Sequence, residues 1–268
     1  MKTYIVDSFT TVPFKGNPAG VCFPQQEMSE ENMQHIAMEL GLSETAFVQP
    51  ANTDGIYNIR YFSPKKEIPL CGHATLAAAK VLFKNIDAHA IHFITAEKVD
   101  LFIEKRADEI VMTFPVYEIV PAIVEPAMLQ ALGLVEINHT AYSPKNKIIM
   151  LEINDASVLA RLTPDFKALL NSNDSINGVL VTAASNDEEY DFHYRYFWPW
   201  AGTDEDPVTG GVQTFLTKYW ANKLGKTKMK AFQSSSRTGK MSVELQDEKV
   251  LVIGQAIIVF EGNLLAFD

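Results

Sequence analysis

The spacing of apolar and polar positions changes period several times along the chain. MKTYIVDSFT alternates with the period of two of a half-buried strand, and FKGNPAGVCF reads as a turn running into a second strand. Residues 29–40, SEENMQHIAMEL, switch to the helical period. Ser29 is a good N-cap, acids fill the first turn, and Gly41 follows as a stop. ETAFVQP and YNIRYFSP return to strands. Residues 72–84 predict a helix that is apolar around most of its circumference. HFITA, VDLFIEK and EIVMTFP predict a meander, after which Pro115, Pro121 and Pro126 interrupt the pattern and mark a boundary. Beyond it, PAMLQALG predicts a short helix closed by glycine and KIIMLEI a strand. SVLARL and PDFKALLN look helical, GVLVTAAS and DFHYRYFWP are strands, and 210–223 is a second apolar helix. MSVELQ and VLVIGQAIIVFEGNL return to strands.

The two halves of this pattern repeat. Arg-Tyr-Phe-x-Pro stands at 60–64 and again at 195–199. In each case a polar connection follows, then a glycine-containing turn, Gly72-His73 or Gly210-Gly211, then an apolar helix and a phenylalanine strand. The expected architecture is therefore α+β, with two similar halves related by a pseudo-twofold. Each half is a curved, mostly antiparallel sheet wrapped around a central helix. The expected boundaries are 1–117 and 118–261, with residues 262–268 returning to the first half. If both helix N-termini face one cleft, about eight unpaired N–H groups point into it, which suits a carboxylate.

Composition narrows the function. A chain of 268 residues with 47% apolar positions can bury a substantial core. Its formal charge of −10 and lack of a basic stripe argue against nucleic-acid binding. No apolar run approaches the ~18 residues of a membrane span. The opening residues lack the pattern of a secretory leader. With two cysteines, Cys22 and Cys71, a reducing cytoplasm is expected.

Three places could carry chemistry. His73 follows a glycine that lets backbone approach a ligand, and the positive helix end favours its neutral form. It is equally compatible with a histidine packed under a loop. Glu44 sits where a helix has ended and an apolar strand begins, so partial burial would raise its pKa toward proton-transfer duty; a solvated carboxylate is the plainer reading. Asp206-Pro207 reads as an N-cap and first helical residue, with Asp204 and Glu205 alongside; a second acid/base group is the alternative. Cys71 has no thiol counterpart in the second half, and Cys22 reads as core. His89 and His92 lack acidic or thiol neighbours in sequence, so no metal is expected. No dinucleotide fingerprint, phosphate-binding loop or nucleophile elbow is present.

These pieces resemble the phenazine-biosynthesis-like, PhzF-type isomerases within the diaminopimelate epimerase fold. The matching stretches are VDSFTTVPFKGNPAGV, LSETAFV, PLCGHATLAAA, RYFWPWAGTDEDPVTGG and FQSSSRTGKMSVEL, in order along nearly the whole chain. The resemblance implies a cofactor-independent isomerase acting on a small carboxylate-bearing substrate in the cleft between the halves. It implies acid/base roles for Glu44, His73 and Asp206, and substrate binding by Asn17, Gly72, Ala74, Gly210 and Gly211. It implies a homodimer; the absence of a metal, nucleic acid or membrane partner is expected from the composition and spacing above. The family pattern usually continues Ser-Ala-His after Asp-Pro-Val-Thr-Gly, whereas this chain reads Gly211-Val212-Gln213. An amino-acid racemase using Cys71, or a non-catalytic metabolite binder, are the rival readings.

Overall fold

The computed structural model describes residues 1–51, 53 and 55–265. The chain divides into two compact units: Met1–Thr113 with Leu251–Asp268, and Phe114–Val250. Among the described residues no helix is long and apolar enough to cross a membrane.

The first unit opens with β1 (Lys2–Ser8), β2 (Asn17–Phe23), α1 (Glu30–Leu40), β3 (Glu44–Pro50), β4 (Ile56–Phe62) and β5 (Glu67–Ile68). It continues through α2 (Gly72–Asn85), β6 (Ala90–Thr95), β7 (Asp100–Arg106) and β8 (Glu109–Pro115). The second unit contains β9 (Val120–Pro121), α3 (Pro126–Leu132), β10 (His139–Ser143), β11 (Ile148–Glu152), α4 (Ala156–Ala160), α5 (Phe166–Asn171) and β12 (Gly178–Ala184). Then come β13 (Phe192–Trp198), β14 (Thr203–Asp206), α6 (Gln213–Leu224), β15 (Lys228–Gln233) and β16 (Gly239–Gln246). β17 (Lys249–Gly254) leads back to the first unit, which β18 (Ala256–Asn263) completes.

Pairing shows the repeat directly. In the first unit the sheet order is β18, β1, β2, β3, β4, β6, β7, with antiparallel joins except for β2–β3 and β4–β6. In the second it is β9, β10, β11, β12, β13, β15, β16, with parallel joins at β11–β12 and β13–β15. The sequence of parallel and antiparallel joins is the same. Each unit also adds a short antiparallel strand after its Arg-Tyr-Phe motif, β5 on β4 and β14 on β13.

The motif itself explains why those short strands form. Arg60 donates through Nε and Nη2 to Glu67, both at 2.7 Å, and Arg195 does the same to Glu205 at 2.7 and 2.8 Å. Glu67 stands opposite Phe62 and Glu205 opposite Phe197, so the two clamps share one register. Each guanidinium also lies over the phenylalanine two residues on. A bidentate fork fixes geometry as well as charge.

α2 is buried at ten of its fourteen residues, including Ala74, Ala77, Ala78 and Ala79. Small side chains let β1, β2, β3 and β18 approach a central helix closely. α1 instead shows one buried stripe of Met33, Ile36 and Ala37, and is capped by Ser29 and by left-handed Gly41 as its sequence predicts. In the second unit α3, α4 and α5 join a core with Leu151, Val179, Val181 and Phe197.

Three details differ from the sequence reading. The chain re-enters the first unit at Leu251 rather than 262, because β18 pairs with β1 along its whole length. The first boundary likewise falls at Thr113/Phe114 rather than 117/118. Asp206 is not an N-cap: it ends β14, and α6 begins at Gln213 behind a non-helical lead-in. The reason is local. The Gln233 amide donates to the Asp206 carbonyl at 2.5 Å and accepts the Thr209 N–H at 2.7 Å, while the Ser235 hydroxyl donates to the Pro207 carbonyl. Those bonds hold 206–209 as a turn, and two glycines weaken helix propagation through 210–211.

Candidate active site

In the first unit, three strands and one helix bring a polar cluster together. Ser8 ends β1 and Asn17 starts β2, and the two are paired across the ladder. Glu44 starts β3, which runs parallel to β2 with Ala19 opposite Glu44. Gly72 and His73 open α2. Gly16 makes the entry to β2 possible: its φ is +67°, and a Cβ there would sit 2.1 Å from the Ser8 carbonyl oxygen.

His73 is the hub. Its Nε2 lies 3.1 Å from Glu44 Oε2 and its Nδ1 lies 3.1 Å from Asn17 Nδ2. Cys71 Sγ is 3.4 Å from Nδ1, and the Ser8 hydroxyl donates to the His73 carbonyl at 2.7 Å. Glu44, Cys71 and His73 are each only 6% exposed. Burial opposes a charge on His73, but the neighbouring Cys71 sulfur and the Glu44 carboxylate outweigh it and hold the imidazole well above its ordinary range. The expectation of a histidine kept neutral by the helix end is therefore reversed: two acidic neighbours in contact outweigh a helix-end dipole. Burial pushes the Cys71 thiol up, against the pull of His73 and of the Ala74 N–H. Cys22 lies in the core, its thiol pushed up to about 12 by burial.

The second unit presents the counterpart turn. The Thr209 hydroxyl donates to Asp206 Oδ2 at 2.5 Å, and the Tyr194 hydroxyl donates to the Thr209 carbonyl. Glu205 is engaged by Arg195, so it is not a like-charged partner for Asp206. Register places Thr209 where the first unit has Cys71, and Gly210 where it has Gly72. The N–H groups of Gln213 and Thr214 go to the carbonyls of Gly210 and Gly211, which removes two of the donors expected at this helix start. Gln213 is fully buried and accepts from the Thr217 hydroxyl. Of the residues singled out in sequence, Asn17, Glu44, Gly72, His73 and Ala74 gather in the first unit; Asp206, Gly210 and Gly211 share the turn of the second.

Sequence reasoning missed Ser8, Gln233 and the contact of Cys71 with His73. Ser8 could have been found from the alternation of MKTYIVDS, which puts it on the buried face with Val6. Gln233 carries no such signal. His92, expected to lack an acidic neighbour, meets Asp100 at 2.6 Å and stacks on Phe102.

A model of the phenazine biosynthesis-like protein family matches residues 6–262. The chain belongs to that family. An uncharacterized isomerase of Halalkalibacterium halodurans is 40% identical, covering 98% of this chain and 97% of that one. The crystal structure of a PhzF-family phenazine biosynthesis protein from Enterococcus faecalis superposes with a TM-score of 0.89 at 35% identity, over 97% of both chains. A hydroxyproline epimerase from Agrobacterium vitis shares the fold alone, with a TM-score of 0.59 at 11% identity over 100% of this chain and 93% of that one. The phenazine biosynthesis-like fold thus extends to epimerase-type proteins, as the diaminopimelate epimerase-like expectation requires.

Proposed function

We propose that this chain is a cofactor-independent isomerase that moves a proton between carbons of a small carboxylate-bearing molecule, with Glu44 removing and returning it. The observation that carries the reading is the buried Glu44–His73 contact of 3.1 Å, anchored by Asn17 and Ser8. A carboxylate in so dry a setting, oriented by an imidazole, is arranged for proton transfer rather than for surface charge. Curated relatives in this family carry the name isomerase, which supports the reaction class. His73 orients Glu44 and stands ready to stabilise charge on the substrate. Asp206 is included as a second acid/base group on the strength of its motif, and Gly72, Gly210 and Gly211 as backbone donors.

The test is deuterium uptake. The protein is incubated in deuterated water with a panel of amino, hydroxy and unsaturated carboxylic acids, and incorporation is read by mass spectrometry. The expected result is uptake at one carbon of one substrate class, abolished in Glu44→Gln and reduced in Asp206→Asn. Undiminished uptake in Glu44→Gln, or a panel member that binds tightly and is returned without deuterium, would overturn the proposal. The second outcome would favour a metabolite binder.

A further inference from the structure

The proton-transfer reading gives Asp206 a role but not the means of aiming it. The turn that carries Asp206 is held at Thr209 by three separate bonds. The Thr209 N–H donates to Gln233 Oε1 at 2.7 Å, its hydroxyl donates to Asp206 Oδ2 at 2.5 Å, and its carbonyl accepts the Tyr194 hydroxyl at 3.1 Å. Gln233 also donates to the Asp206 carbonyl, so one buried amide spans both ends of the turn. The hydroxyl on Oδ2 sets the plane of the carboxylate. The Tyr194 bond fixes the backbone from which that hydroxyl springs. Tyr194 is fully buried, and burial pushes its phenol far above the ordinary range, so it keeps its proton and serves as a fixed donor.

The first unit meets the same need by other chemistry. Cys71 occupies the position of Thr209, and its carbonyl accepts the Thr75 hydroxyl at 2.7 Å. That donation uses the only hydroxyl proton of Thr75, so the buried Tyr61 hydroxyl, 2.6 Å away, is the donor to Thr75. A threonine bonding back four residues is a local option open to any helix. In the second unit the counterpart of Thr75 is Gln213, whose amide bonds Thr217 and lies against Tyr194 instead of reaching back. Tyr194 of β13 supplies the missing hydroxyl from a neighbouring strand. Its counterpart in β4 is Ile59, which has none. Two units that pin one carbonyl in two different ways point to a requirement for the pin, not to an accident of the repeat.

We propose that Thr209 and Tyr194 are positioning residues: Thr209 orients the Asp206 carboxylate for proton transfer, and Tyr194 holds Thr209 in place. This rests on the acid/base role proposed above for Asp206. No bond is made or broken at either residue.

Thr209→Ser, Thr209→Val and Tyr194→Phe separate orientation from bulk, and circular dichroism with tryptophan fluorescence checks that each is folded. With the carboxylic acid that takes up deuterium, Thr209→Val should lower kcat by about 10–100-fold and leave KM unchanged, as a displaced catalytic group does when binding is untouched. Thr209→Ser keeps the hydroxyl and should hold kcat within about threefold of wild type. Tyr194→Phe should fall between the two. Wild-type kcat in Thr209→Val, or a Thr209→Ser as slow as Thr209→Val, overturns the proposal. A raised KM at unchanged kcat also overturns it, because the pair then serves binding. Wild-type kcat in Tyr194→Phe overturns the part given to Tyr194.

A second readout needs no turnover. In the chain labelled with carboxyl-13C aspartate, the Asp206 resonance is assigned by its loss in Asp206→Asn, and its titration is followed by NMR. Removing the donor should move the midpoint upward in Thr209→Val, while Thr209→Ser should leave it in place. An unmoved midpoint in Thr209→Val overturns the orienting bond whatever the kinetics show. If no member of the panel takes up deuterium, the isomerase reading fails by itself. A moved midpoint then still supports the hold of Thr209 on Asp206, and an unmoved one overturns it.

Discussion

The duplicated arginine clamp offers a comparison inside one molecule. Arg195 has 9% of its side chain exposed and Glu205 has 15%, and Arg195 also donates to the Leu159 and Leu162 carbonyls. Arg60 and Glu67 make the same fork with 28% and 24% exposed, beside an outer contact to Glu30. Removing Arg195 strands a largely buried carboxylate and two carbonyls, which costs about 3–5 kcal/mol. Removing Arg60 leaves a carboxylate that water reaches, and the cost is about 1 kcal/mol. The protein supplies its own reporters: all three tryptophans, Trp198, Trp200 and Trp220, lie in the second unit, and both cysteines lie in the first. Urea unfolding followed by tryptophan fluorescence therefore reads the second unit, and thiol labelling reads the first. With m near 2 kcal/mol/M, Arg195→Ala should lower the fluorescence midpoint by roughly 1.5–2.5 M. Arg60→Ala should lower the labelling midpoint by roughly 0.5 M. Arg195→Met with Glu205→Gln should recover most of the loss, since no buried charge is then stranded. Equal shifts for the two arginine deletions, or a double variant as weak as the single one, would refute burial as the source of the difference.

Other consequences can be checked with the same reporters. Gly178→Ala places a Cβ 2.5–2.7 Å from the ring and hydroxyl of the buried Tyr196, so the fluorescence midpoint should fall by an amount equivalent to about 1–3 kcal/mol. His193 faces Asp187 and Tyr190 from the preceding loop and Phe232 from β15, and burial holds its pKa below the usual value against the pull of Asp187. A lowered histidine pKa means that the unfolded chain binds the proton first, so stability of the second unit should be full above about 6.5 and decline as pH falls below it. His193→Gln should flatten that decline, and an unchanged pH profile would count against the assignment. Gly16→Ala forces a left-handed residue into the Ser8 carbonyl, so it should displace Asn17 and cut deuterium uptake more than it lowers the labelling midpoint.

Much of this was readable before the structure. Arg-Tyr-Phe-x-Pro exposed the duplication, because a guanidinium, two aromatics and a proline in one order impose the same strand and the same exit twice. Ser29 and Gly41 bounded α1 because caps act within one turn of chain. Asp206 misled for the same local reason: Asp-Pro is good capping chemistry, and only Gln233, brought alongside by β13–β15 pairing, diverts it into a turn. Glu205 was read only as a like-charged neighbour of Asp206 and Glu67 was given no role, since nothing near either in sequence names an arginine as partner. The electrostatic state of His73 was only half visible: Cys71 stands two residues before it in sequence, but Glu44 arrives from β3.

The path of the chain through its first unit carries a further consequence. β1 is made before every other described strand, yet one of its two neighbours, β18, is made after all of them. Met1 and Leu264 even exchange both backbone hydrogen bonds. The second unit, by contrast, is continuous from Phe114 to Val250. During synthesis the second unit can finish while β1 still shows a bare edge, open to pairing with the same edge on another nascent chain. Slow or interrupted translation between β17 and β18 should therefore yield aggregates seeded at β1, and chaperone demand should peak in the interval before β18 emerges.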